Sequence, residues 1–148
     1  MSRETGLTQL LPPLQVAAGI LLDNSGQVLI ADRQRAKSMR DYWEFPGGKL
    51  LSGESAEDAL QRELAEELGI SITRFEHFHS LSHAYPDTHV AIDFFLVSGW
   101  TGTPGGAEGQ QLSWISIDNL DSNLLLPADV PVIDALIARF GGERIGSD

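Results

Sequence analysis

The 148-residue chain contains no cysteine, which excludes disulfides, thiolate metal centres and thiol redox chemistry and is compatible with a reducing cytosol. Positive charge is scarce: 10 lysines and arginines face 21 aspartates and glutamates, a formal charge of -11. Such a chain repels polyanionic strands and anionic bilayers, so neither a nucleic-acid polymer nor a membrane is an expected partner. Long apolar runs are also missing. The longest near the N-terminus, Val16 to Leu22, is interrupted by Gly19 and is too short for a membrane span. A cytoplasmic protein with no obligate protein partner is therefore expected. What the chain does have is 42% hydrophobic residues, enough for one sizeable core.

Residues 1–13 are polar, end in Pro12-Pro13 and read as a flexible extension, leaving 14–148 as a single domain. "QVAAGILL" and "QVLIA", separated by the turn cluster "DNSG", read as a strand hairpin. The stretch from Asp32 to Gly48 holds four of the ten basic residues without a clear period and reads as a functional loop closed by a Gly-rich turn, "FPGGK". A helix is predicted from an N-cap at Ser55 to a C-terminal Gly69. "SITRFEHFHSLSHAY", "HVAIDFFLVSGW" and "LSWISI" read as strands, the second of them central. The spacing of Val132, Ile133, Leu136, Ile137 and Phe140 predicts a last helix starting at Asp129 or Val130, with Pro131 in its first turn. This order suggests a mixed sheet between helices, an α/β or α+β sandwich.

On the first of these helices, Leu60, Leu64 and Leu68 form one stripe and Glu63, Glu66 and Glu67 a neighbouring arc. Like charges three and four apart each cost about 0.2 to 0.5 kcal/mol, so the cluster weakens its helix unless a cation offsets it. Mg²⁺ takes oxygen ligands in an octahedral array, and carboxylates at this spacing suit one or more such ions. An E-x-x-E-E run alone is more often a solvated helix face. Its neighbours change that reading. Gly48, Glu54 and then Arg62-Glu63-Leu64, Glu66-Glu67 and Gly69-Ile70 match the pattern GX5EX7REUXEEXGU at every fixed position, U being a bulky aliphatic residue. The chain thereby resembles the Nudix family.

That resemblance implies an α/β/α sandwich and an enzyme that uses Mg²⁺ or Mn²⁺ to hydrolyse a pyrophosphate linkage in a nucleoside diphosphate derivative. Carried over by position, Gly48, Glu63, Glu66 and Glu67 bind metal, Arg62 orients the carboxylates and Glu54 braces the loop–helix junction. Beyond the motif, "WEFPGGK", "YPDTHVAIDFFLV", "TGTPGGAEGQQLSW" and "LLPADVPVIDAL" look like the MutT type, whose members remove oxidised nucleotides from the precursor pool and so avoid mutation. In that type Glu108 is a further metal ligand or general base. Arg33, Phe45, Gly47, Lys49, Asp87 and Asp129 fall where the small-molecule nucleotide is bound.

Departures are visible too. Asp129 stands where the MutT type has an Asn that selects the base. An ionised Asp only accepts hydrogen bonds and favours an edge presenting N–H, such as N7–H of 8-oxoguanine, unless it is protonated; the simpler reading is a helix cap. Thr88 and Ser38 replace an Arg and a His of the best-known bacterial relative. The substrate expected is 8-oxo-dGTP or 8-oxo-GTP. A branch cleaving CTP and oxidised pyrimidine nucleotides has a similar "LLPAD" ending, and Pro86 falls where ADP-sugar hydrolases often carry Pro. A catalytically silent 8-oxoguanine-recognition module would have lost box carboxylates that this chain keeps.

Overall fold

The computed structural model describes residues 12–141, so the expected N-terminal extension lies outside the described residues except for Pro12 and Pro13. The apolar run forms strand β1, Leu14–Leu21, followed by β2, Gln27–Asp32, the short β3, Trp43–Glu44, and β4, Gly47–Lys49. Helix α1 spans Ala56–Leu68, and strands β5, Ser71–Ala84, β6, His89–Thr101, and β7, Leu112–Ser116, follow. A 3₁₀ turn at Pro127–Asp129 leads into α2, Val130–Leu136, which widens into a π turn at Ile137–Gly141. None of the described helices is long and apolar enough to cross a membrane.

The strands form two sheets, ordered β4-β1-β6-β5 and β3-β2-β7. In the first, β1 runs parallel to β6 but antiparallel to β4, and β5 is antiparallel to β6, so the sheet is mixed. The central place of β6 follows from its sequence: Phe94 and Leu96 enter the core beneath α2 while Phe95 and Val97 enter the core beneath α1. A strand apolar on both faces must be covered on both. The two helices therefore flank the sheet as the α/β/α expectation requires.

Two local expectations fail. The β1–β2 hairpin does not form: one bridge, Leu22 to Val28, joins the strands before they part into separate sheets. The turn itself closes as read, with Asp23 Oδ1 accepting the Ser25 and Gln27 amides at 2.9 and 2.8 Å and Gly26 at a φ of 78°. β1 is buried from Ala17 to Leu21 and pairs along its own whole length with the stretch of β6 from Val90 to Val97, while β2 pairs instead with β7. The Gly-rich turn is likewise a strand, with Gly47 opposite Ala18 and Gly48 opposite Ala17. Gly47 takes a φ of 155°, and a Cβ there would strike the Ala17 carbonyl, so only glycine permits this close pairing.

Helix α1 has the boundaries its sequence encodes. Ser55 Oγ accepts the Asp58 amide at 3.1 Å, and Gly69, at φ 72°, donates its amide to the Ala65 carbonyl at 3.0 Å. Its leucine stripe seats on Gly19 of β1, where an added Cβ would lie 2.9 Å from Leu64 Cδ1 and 3.2 Å from Leu60 Cδ1. Gly19→Val is expected to lift α1 from the sheet and to cost about 1–3 kcal/mol of stability. A urea titration with a lower midpoint and an unchanged slope checks it.

Candidate active site

One arginine organises the acids of α1. Arg62 forks onto Glu54, with Nε 2.8 Å from Oε2 and Nη2 2.9 Å from Oε1, and Nη1 reaches Glu63 at 2.7 Å and Glu66 at 3.4 Å. Nη2 also donates to the Lys49 carbonyl at 3.0 Å, tying the helix to the end of β4. Glu54 in turn accepts the Leu51 amide at 2.8 Å, and these bonds, led by the one from Arg62, hold its carboxyl down to about 2. Glu54 thus stays ionised as a brace between loop and helix. Gly48 lies directly beneath Glu63: a Cβ there would overlap the Glu63 carboxylate, so the bare backbone lets carboxylate and strand meet.

Glu67 lies one turn beyond Glu63, on the same face of α1. It is half-buried, accepts the Gly47 amide at 3.4 Å, and has its carboxyl pushed up to about 9. Burial is the main cause, followed by a hydrogen bond with Glu63 and the charges of Glu63, Glu44 and Glu108. Glu108 arrives from the β6–β7 loop, which docks on the end of α1. The Gly105 and Ala107 amides donate to the Leu68 and Glu67 carbonyls, both at 3.0 Å. Gln110 completes the joint, donating Nε2 to the Glu67 carbonyl and accepting the Glu108 amide on Oε1, each at 3.0 Å. Carbonyls left without helical partners at a C-terminus are satisfied in this way, and Glu108 is fixed as a by-product.

The donor set, four glutamates and a strand carbonyl, is all hard oxygen, as Mg²⁺ or Mn²⁺ requires. The physical test of fit is Glu67, a carboxyl that burial, and after it the neighbouring acids, keep from ionising and that a nearby cation would release. Among the described residues no three acidic or imidazole groups already stand in a ligating array, and Arg62 engages Glu63 and Glu66. The residues suit a divalent ion in the chemistry of their donor atoms.

Beside the acids opens a cavity of about 590 Å³, lined by Arg33, Phe45, Gly47, Gly48, Lys49, Asp87 and Asp129 among others. Every residue predicted to bind the nucleotide is thus on one wall or another. Phe45 is buried and stands edge-on to Phe94 at 6.2 Å, so it is core and lining at once. Arg33 is no loose surface charge: it pairs with Glu44 at 2.7 Å and donates to the Ser38 and Met39 carbonyls.

Asp129 precedes α2 but makes no capping bond. Instead its Oδ2 accepts the Phe45 amide at 3.2 Å, linking two segments 84 residues apart. Burial pushes its carboxyl up to about 8, against the lowering effect of the Phe45 amide and of Arg33, with Glu44 adding to the rise. At neutral pH this favours the protonated form, which the sequence reading left open beside the ionised one. Asp129 is a neutral acid that both donates and accepts, as an asparagine does.

Sequence reasoning passed over Glu44, Tyr85 and Gln110. Glu44 stands between the large cavity and a smaller one of about 190 Å³ that Glu67 and Glu108 also line. Tyr85 Oη accepts the Ala128 amide at 3.0 Å and helps wall the cavity of about 590 Å³. Glu44 and Gln110 lay inside quoted motifs, where a charged or amide side chain among glycines was the available signal. Tyr85 offered none. His77 bonds Ser80 and Asp93 at 2.8 and 3.0 Å and lines neither cavity.

Comparison with known proteins agrees with this geometry. Residues 13–140 match the NUDIX domain. The chain is 41% identical over 123 residues to the 8-oxo-dGTP diphosphatase of Escherichia coli, covering 83% of this chain and 95% of that protein. It is 34% identical to the CTP pyrophosphohydrolase of the same organism, covering 84% and 92%. A solved MutT structure, from work on the Aliivibrio salmonicida and Vibrio cholerae proteins, superposes with a TM-score of 0.75 at 37% identity, covering 87% of this chain and all of that one. Shared sequence and shared fold over the strands, helix and loops that assemble the acids make this chain a member of the Nudix hydrolase family, of the MutT type.

Proposed function

We propose that the chain is a divalent-metal-dependent nucleoside triphosphate pyrophosphohydrolase that converts 8-oxo-dGTP or 8-oxo-GTP to the monophosphate and pyrophosphate. The observation that carries the reading is the meeting of the acidic cluster of Glu63, Glu67 and Glu108 with a nucleoside-sized cavity along Gly47 and Gly48. In the reaction water adds across the linkage between α- and β-phosphates, its oxygen joining one phosphorus as the bridging bond breaks, and a proton is released. Glu63, Glu66, Glu67, Glu108 and the Gly48 carbonyl would hold Mg²⁺ or Mn²⁺. Once bound, such an ion neutralises phosphate charge and activates water. Arg62 fixes the carboxylates and Glu54 fixes Arg62, so the acids need little reorganisation. Phe45 gives the base an apolar wall, Arg33, Lys49 and Asp87 surround the sugar and phosphates, and Asp129 addresses the base edge.

A pyrimidine reading has one observation in its favour, the similarity to the CTP pyrophosphohydrolase. Initial rates on 8-oxo-dGTP, 8-oxo-GTP, dGTP, CTP, an oxidised pyrimidine triphosphate and ADP-ribose decide between them. The expected result is the highest kcat/KM on an 8-oxoguanine triphosphate, pyrophosphate as co-product, and no turnover in EDTA. Highest kcat/KM on CTP or ADP-ribose would overturn the substrate, and turnover surviving EDTA would overturn the metal.

A further inference from the structure

The smaller cavity contains one cation that the reading above leaves unused. Its acidic side is Glu67, Glu108, Glu44 and Asp32, the last accepting the Gln111 amide at 3.3 Å, and its two arginines are Arg33 and Arg35. Arg33 is committed to Glu44 and to two carbonyls of its own loop. Arg35 is not: among the described residues it forms no ion pair, although an acid-rich wall stands opposite. Its guanidinium lies against Gly109, next to Glu108. A Cβ on Gly109 would fall 2.6 Å from Nε, 2.8 Å from Cζ and 3.0 Å from Nη2. A glycine at φ 87° thus leaves the space in which the guanidinium rests. The nucleoside cavity meets this smaller one at Arg33 and Glu44, which line both. A chain of phosphates leaving the first cavity past the acids enters the second, where five planar N–H donors stand at the rim.

We infer that Arg35 is a substrate-binding residue for the outer phosphates, the pair that departs as pyrophosphate. The inference rests on the proposed pyrophosphohydrolase reading and adds to it the group that recognises the leaving end. An arginine suits this place because it binds phosphate oxygens in pairs and stays charged. With carboxylates on one side and Arg35 on the other, the cavity accepts an anion only when cations face it from both sides.

The test compares the full-length wild type with Arg35→Ala and Arg35→Lys in Mg²⁺. Three quantities are read: kcat/KM for 8-oxo-dGTP, calorimetric binding of inorganic pyrophosphate, and calorimetric binding of 8-oxo-dGMP, which lacks the outer phosphates. Arg35→Ala is expected to lower the first two by about tenfold to 100-fold, as loss of a charge-assisted pair does, and to leave the third unchanged. Arg35→Lys should recover part of the loss. Pyrophosphate binding equal to wild type in Arg35→Ala would overturn the inference, as would an equal loss of 8-oxo-dGMP binding, the mark of a displaced loop. A wild type inactive on every nucleotide would sink the proposed function instead, and pyrophosphate binding would still decide the role of Arg35.

Discussion

Replacing Glu67 by glutamine is expected to lower kcat on 8-oxo-dGTP by about 10³-fold, the equivalent of roughly 4 kcal/mol of lost electrostatic stabilisation. The same change should raise the melting temperature of the metal-free protein. Both effects come from one cause. Burial first, then the hydrogen bond with Glu63 and the charges of Glu63, Glu44 and Glu108, push the Glu67 carboxyl up to about 9 from an ordinary value of 4.5. A carboxyl raised on folding binds its proton more tightly in the folded state, so ionising it opposes the fold. Metal-free stability on its account therefore falls as pH climbs from 4.5 towards 9. Glutamine keeps the shape and the Gly47 contact without that charge. It cannot serve as an anionic ligand, so Mg²⁺ should raise the melting temperature of the wild type and scarcely that of Glu67→Gln. A variant retaining kcat within tenfold of wild type would remove Glu67 from the metal set.

Base selection is expected to depend on pH through Asp129. Below about 8 the side chain is a neutral acid and can donate to a ring nitrogen; above it, the carboxylate only accepts. N7 of 8-oxoguanine carries a hydrogen and N7 of guanine a lone pair, so ionisation keeps the first partner and repels the second. The ratio of kcat/KM for 8-oxo-dGTP over dGTP should rise by about tenfold or more across this titration, the scale set by a buried acceptor left facing another. Taking the ratio cancels the pH dependence of the phosphate chemistry, which both substrates share. Asp129→Asn donates and accepts at every pH, so its ratio should stay flat and match the wild type only on the acid side. A wild-type ratio that is level on both sides of pH 8 would leave Asp129 as a strut for the Phe45 amide.

What was legible in the sequence was what neighbouring residues decide. Ser55 and Gly69 bound the helix, its leucines and glutamates sort by period, and the spacing from Gly48 to Glu67 brings strand and acids together. Long-range pairing was not legible. Nothing in "QVAAGILL" says that it will take β6 rather than β2 as its neighbour, because both offers are apolar and the choice depends on the whole sheet. The state of Asp129 was hidden for a related reason: burial sets it, and that burial belongs to a cavity wall whose other members lie as far along the chain as Leu14. Capping was the natural local reading, and the Phe45 amide takes the acceptor instead.

The docking of the β6–β7 loop on the carbonyls of Leu68 and Glu67 means that one end of α1 and Glu108 move as a single mechanical piece. Heat or denaturant that frays the last turn of the helix releases the loop in the same event. Loss of competence should then precede loss of the sheet, since the sheet's strands are held by bonds that this joint does not share.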